Sequence, residues 1–182
     1  MVLEIADGLT YWTAPHPEWA EDDWPRDVGC VLAEVAGEVV LIDPLVDDWD
    51  WLDERVAGRR VHVLTTIRFH ERDRAAVFAR YDADERSPDG VDAFPAPAEQ
   101  ILWLPGHAAL VPGDSLIADE GGLRLCPESW LRHFEEGLPE LRAALEPLLD
   151  LPVERVLCSH GEPVLSGGRA ALRAALSAPS PR

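Results

Sequence analysis

Four short segments each place a potentially reactive residue directly after an apolar run. They are Leu41-Ile42-Asp43-Pro44, Leu64-Thr65-Thr66-Ile67-Arg68-Phe69-His70-Glu71, Val111-Pro112-Gly113-Asp114 and Leu157-Cys158-Ser159-His160-Gly161. Strand ends are rigid and the loops that leave them are exposed, so sites are commonly built there. Imidazoles and carboxylates converging from strand ends can hold a hard or borderline cation such as zinc, manganese or iron. Each residue also has a bland reading: Asp43 before a proline as a turn residue, Asp114 as the start of a turn, His160 as a strand cap. It is their order and spacing, taken together, that point to one site.

The elements that must position them follow from periodicity and turn signals. Glu4–Thr13 reads as a strand pair turning at Asp7-Gly8, and Val28–Val35 with Glu38–Asp43 as a hairpin around Ala36-Gly37. A polar loop rich in Trp and Pro lies between them, from Ala14 to Asp27. Asp48–Val56 is expected to be a short helix and Val61–Thr65 a buried strand. Helical spacing over Glu71–Tyr81 puts Ala75, Phe78 and Ala79 on one face. Val91–Phe94, Ile101–Leu104 and Ala109–Val111 read as strands, the last two joined by a tight turn at Pro105-Gly106. A helical region from Pro127 breaks at Gly137 and restarts with Pro139 in its first turn, with Leu141, Leu145 and Leu148 as its apolar stripe. Val153–Ser159 closes as a strand and Gly168–Ser177 as a helix. Hairpins first, then helices alternating with strands, favour two sheets with helices packed outside.

Composition narrows the classes. The 182 residues suit one domain with a sizeable core, expected over residues 1–176 with a frayed tail at 177–182. Acidic residues number 34 against 16 basic ones, all arginine, for a net charge of −18. Such a surface repels phosphate backbones and anionic lipid, so nucleic acid and membrane are excluded as expected partners. Glu4 and Asp7 interrupt the only short apolar run at the N-terminus, and no stretch approaches the roughly 20 apolar residues of a membrane span. The three cysteines, Cys30, Cys126 and Cys158, show no CxxC spacing and read as reduced core thiols, which points to a soluble, cytoplasmic protein. Oligomeric state is left open.

Read together, the four segments resemble the metallo-β-lactamase-fold hydrolases over nearly the whole chain. The resemblance implies an α+β fold, an αββα four-layer sandwich with its metal site at one edge between the sheets. Asp43, in its Leu-Ile-Asp context, matches the family's structural support for the metal loop. Gly113-Asp114 matches the family's G-D, whose Asp bridges two metals, and His160 matches the last histidine, on a strand-end S-H-G. The family's T-H-x-H-x-D-H motif aligns on Leu64-Thr65, which puts Thr66 and Arg68 at its first two histidines, His70 at its Asp and Glu71 at its last His. The third histidine, from a P-G-H loop, falls near Pro95 in Phe94-Pro95-Ala96-Pro97-Ala98. His107, within a literal Pro105-Gly106-His107, sits too close to Asp114 to take that place.

The resemblance thus implies that one of the family's two metal sites is lost. The other would use His70, Glu71, Asp114 and His160. Arg68 would project toward the vacated position, replacing part of the missing charge, or would pair with Asp114 in a collapsed, metal-free pocket. Glu71, if not a ligand, would be the general base. Two classes of function stay open: a mononuclear metal hydrolase of a small ester-like substrate, and a non-catalytic protein binding a ligand or partner. In either, Trp12, Trp19 and Trp24 around the N-terminal loop would wall or plug the cleft. Gly113-Asp114-Ser115-Leu116 spells a serine-esterase string, but it lies past mid-chain and no D-x-x-H follows it. His16, His62 and His133 have no partners visible in sequence, and Cys158 reads as core.

Overall fold

In β3 (Asp27–Val35), Val31, Ala33 and Val35 face one hydrophobic core while Cys30 and Leu32 face another. Successive side chains of a strand point to opposite faces, so a strand apolar at every position must be covered on both sides. β4 (Glu38–Ile42) repeats the pattern, with Val40 and Ile42 on the first face and Val39 and Leu41 on the second. The computed structural model describes residues 1–21, 24–132 and 134–178, and its layers follow from this patterning.

The first sheet runs β1 (Val2–Ala6), β2 (Leu9–Pro15), β3, β4, β5 (Val61–Leu64) in spatial order. Its pairs are antiparallel except β4 with β5, which is parallel and needs a crossover. That crossover is α1 (Trp49–Val56), started by Asp48, whose side chain accepts the N–H of Trp51 at 3.0 Å. With α2 (Arg74–Tyr81), α1 covers the outer face through Leu52, Val56 and Val77.

The second sheet has the order β11 (Arg155–Val156), β8 (Ala109–Val111), β7 (Glu99–Leu104), β6 (Asp92–Ala96). Leu102, Leu104 and Val111 meet Leu9, Tyr11 and Val31 of the first sheet in the central core. Ile101, Trp103 and Leu110 point the other way, onto α4 (Leu138–Leu145) and α5 (Gly168–Ser177) through Leu141, Leu145 and Leu172. The result is an αββα sandwich. Each fully buried leucine in these layers contributes about 1.5–3 kcal/mol relative to exposure.

Four local differences from the sequence expectations bear on the site. The helix expected from Glu71 begins at Arg74 and is preceded by a 3-10 turn at Arg68–His70. Its buried face is Val77, with Phe78 partly buried, whereas Ala75 and Ala79 are exposed. The strand expected through Ser159 ends at Val156, because the chain then leaves the second sheet for the first. A hairpin of β9 (Leu116–Asp119) and β10 (Gly122–Leu125) has no counterpart in the expectations, since runs of only four residues carry too little periodicity to read, and the helical region expected from Pro127 starts as the short helix α3 (Glu128–Leu131). Ser177 belongs to α5; His133 and residues 179–182 of the expected tail lie outside the described residues.

Candidate metal centre

His70, Asp114 and His160 come together where the two sheets meet, and their ligand atoms all lie within 4.8 Å of one another. Each arrives on a different element. His70 closes the 3-10 turn after β5, Asp114 follows β8, and His160 follows β11.

His160 is placed by backbone bonds to both sheets. Gly29 N–H donates to Ser159 O at 2.7 Å, and His160 bridges Val28 of β3. On its other side, Ala118 N–H of β9 donates to His160 O at 3.0 Å. The Tyr11 hydroxyl donates to Cys158 O at 3.0 Å. Gly161 makes this approach possible: its φ is +88°, and a Cβ there would lie 1.8 Å from Ala118 O.

Asp43 sits behind His70. Its Oδ2 is 2.9 Å from His70 Nδ1, its Oδ1 accepts the N–H of Thr66 at 2.8 Å, and the Thr66 hydroxyl donates to Oδ2. This holds the His70 ring with Nε2 toward Asp114, the arrangement that orients a metal-binding histidine. Burial disfavours the His70 imidazolium, but the Asp43 and Asp114 carboxylates outweigh it and push its pKa up to about 9. Burial likewise works against the Asp114 carboxylate, yet the His160 and His70 rings hold it well below the usual carboxylate range.

The donor set fits a cation. Asp114 Oδ1 lies 3.1 Å from both His70 Nε2 and His160 Nε2, close to the ~3.3 Å separation of neighbouring ligand atoms around a tetrahedral ion. Neither contact has hydrogen-bond geometry, and Oδ1 is buried without a partner. Atoms arranged around a common point, not as donors to one another, give this pattern.

Two residues expected here lie elsewhere. Glu71 is a neighbour of His70 on a tight turn, where successive side chains are about 120° apart, so with His70 inward it points out. Its side chain is 70% exposed and its ion-pair contact is Arg74, at 3.9 Å. Arg68 is also exposed; its guanidinium lies 4.7 Å from the Phe69 ring centroid and 5.5 Å from that of Phe134, and no ion pair joins it to Asp114 among the described residues. Thr66 is buried against Asp43, and Pro95 is exposed on β6.

The guanidinium that does enter is Arg72, which the sequence reading did not single out. Its φ of +37° turns the chain inward. Nη1 donates to Gly29 O and Asp43 O, each at 2.8 Å, and Nη2 donates to Ser159 Oγ at 2.7 Å. One side chain thereby ties β3, the end of β4 and the His160 loop together. Nothing in its one-dimensional context distinguishes it from the arginines around it.

An open cleft of about 540 Å³ leads to the cluster, lined by His16, Trp24, Phe69 and Trp130 among others. Trp24 and Trp130 each set a ring edge-on to His160, with centroids 5.3 Å apart. Trp19 only donates its indole N–H to Trp24 O, and Trp12 is a core residue bonded to Leu45 O at 2.8 Å, so neither lines the cleft. Trp130 was missed because it comes from α3, far along the chain. His16 Nδ1 accepts the Glu18 N–H at 3.2 Å, and its pKa is lowered by burial and by Arg72. Away from the cleft, buried His62 stands between Glu38 at 2.7 Å and Asp84 at 2.8 Å, and His107 faces Glu34 O at 3.0 Å.

No protein-family model and no curated protein matches the sequence. Solved structures do. A metallo-β-lactamase from Erythrobacter litoralis superposes with a TM-score of 0.64 at 11% identity, over 96% of this chain and 89% of that one. One from Hirschia baltica gives 0.56 at 14% identity, over 100% and 98%. A metallo-β-lactamase family protein from Thermus thermophilus gives 0.56 at 16%, over 93% and 78%. Likeness at these identities speaks to backbone architecture, and the chain has the metallo-β-lactamase fold.

Proposed function

We propose that this protein is a mononuclear metal-dependent hydrolase, with His70, Asp114 and His160 as ligands of one zinc, manganese or iron ion and the family's other metal site lost. The observation that carries the reading is the convergence of three ligand atoms, one from each residue, at the floor of an open cleft, with His70 oriented by Asp43. Three protein ligands are the count of catalytic sites that keep a position for water or substrate; structural sites are closed by a fourth. The chemistry a bound cation supplies at such a site is Lewis acidity and a lowered pKa of water.

This chain's residues would do the rest. Asp43 keeps the proton on Nδ1 of His70, leaving Nε2 as donor to the cation. Trp24, Trp130 and Phe69 exclude water from the cleft wall and receive the apolar part of a small ester-like substrate. The overall charge of −18 disfavours polyanionic substrates. Thr66 turned onto Asp43, and Arg68 turned outward onto Phe69, support the loss of the other site.

A non-catalytic protein that binds a ligand or partner through the same aromatic cleft is the alternative. An Arg68–Asp114 ion pair and a plugged cleft would favour it; the outward Arg68 and the open cleft weigh toward the hydrolase.

The test is metal content by plasma mass spectrometry of the purified wild type and His160→Ala. Close to one equivalent in the wild type, lost in the variant, supports the reading and justifies a screen of esters, thioesters and phosphoesters. No metal after incubation with zinc, manganese and iron would overturn it, as would equal metal in the variant.

A further inference from the structure

The turn from β6 into β7 delivers Glu99 to the loop that carries Asp114. Glu99 Oε2 accepts the backbone N–H of Asp114 at 2.6 Å and that of Ser115 at 3.0 Å, and Oε1 accepts the Ser115 hydroxyl. Three donors of one short loop thus converge on one carboxyl group. The fit is close on the other side too. A Cβ on Gly113 would lie 2.7 Å from Glu99 Oε2 and 2.9 Å from Thr66 Oγ1, so a side chain there would push back the groups against which the loop seats. Thr66 in turn bonds Asp43, which orients His70. Glu99, Gly113, Thr66 and Asp43 form one packed unit behind two of the three ligands.

We propose that Glu99 is a positioning residue of the metal centre, holding the Gly113-Asp114-Ser115 loop so that the Asp114 carboxylate meets His70 and His160. The inference rests on the one-metal reading and deepens it. What matters in this role is the reach of an acceptor to the two N–H groups, more than its charge. Gln keeps the reach and loses the charge, whereas Asp keeps the charge and is one methylene too short.

Cobalt(II) is the probe, because it reports both affinity, by competition with a chromophoric chelator, and ligand geometry, by its visible spectrum. Wild type, Glu99→Gln, Glu99→Asp and, as a control for lost stability alone, Leu141→Ala in the remote core would be compared. Glu99→Asp is expected to bind cobalt about 10–100-fold more weakly, with an altered spectrum. Glu99→Gln and Leu141→Ala are expected to stay within a few-fold of wild type. Wild-type affinity and spectrum in Glu99→Asp, or a loss in Glu99→Gln as large as in Glu99→Asp, would overturn the role of Glu99 while leaving the metal site standing. A wild type that takes up no cobalt overturns the one-metal reading and this inference together.

Discussion

The Asp43 carboxylate stands 2.9 Å from His70 Nδ1, while the other ring nitrogen of His70 faces Asp114 at 3.1 Å. Asp43 has a φ of +49°, a backbone conformation that Asn tolerates as well as Asp does. Asp43→Asn should therefore fold. Its amide would donate to Nδ1, forcing the His70 proton onto Nε2, the atom proposed as the metal ligand. Metal affinity should fall about 10–100-fold, measured by chelator competition, with a much smaller change in the melting temperature.

Arg72 is the side chain on which the His160 loop hangs. Arg72→Ala leaves Gly29 O, Asp43 O and Ser159 Oγ without their donor, and it should destabilise the protein by about 2–4 kcal/mol. Urea denaturation of the variant against wild type measures this. A change under about 0.5 kcal/mol, the level of an ordinary surface substitution, would show that water replaces the guanidinium.

All three cysteines are free and buried, and burial pushes the thiols up, Cys30 to about 11 and Cys126 and Cys158 to about 12. The thiolate is the nucleophile, so these groups should be inert at neutral pH. A thiol-reactive disulfide reagent should label none of them in the native protein within minutes and three in denaturant. Rapid native labelling of one would mark a local opening around it.

Asp53 ties α1 to α2. It accepts from Arg80 Nε and from the Tyr81 hydroxyl, each at 2.8 Å, and these bonds draw its pKa from 3.8 down to about 2. A depressed folded-state pKa contributes stability above the unfolded value, lost as pH falls through the folded one. Melting temperatures of wild type and Asp53→Asn should therefore differ above about pH 4 and converge as pH approaches 2. The pair is exposed, so raising the salt concentration should narrow the gap at every pH.

What the sequence by itself determined is local. Consecutive apolar residues in β3 and β4 demanded a core on each side, and turn residues at Asp7-Gly8 and Ala36-Gly37 set the hairpins. The Leu141, Leu145 and Leu148 stripe called for a partner sheet, and all three are buried. That His70, Asp114 and His160 come together was legible because each follows an apolar run in an order that resembles a known metal-binding fold. What only the tertiary structure decided is orientation. Glu71 and His70 are adjacent in the chain, and a 3-10 turn sends one inward and the other to solvent. Arg68 and Arg72 are alike in type and context, yet the backbone turn at Arg72 buries its guanidinium among four acceptor groups from distant elements. Trp130 and Glu99 reach the site from a short helix and a strand start that carry no motif. Local pattern specifies which residues can form an element; which way a side chain faces depends on contacts between elements far apart in sequence, and those exist only once the layers have packed.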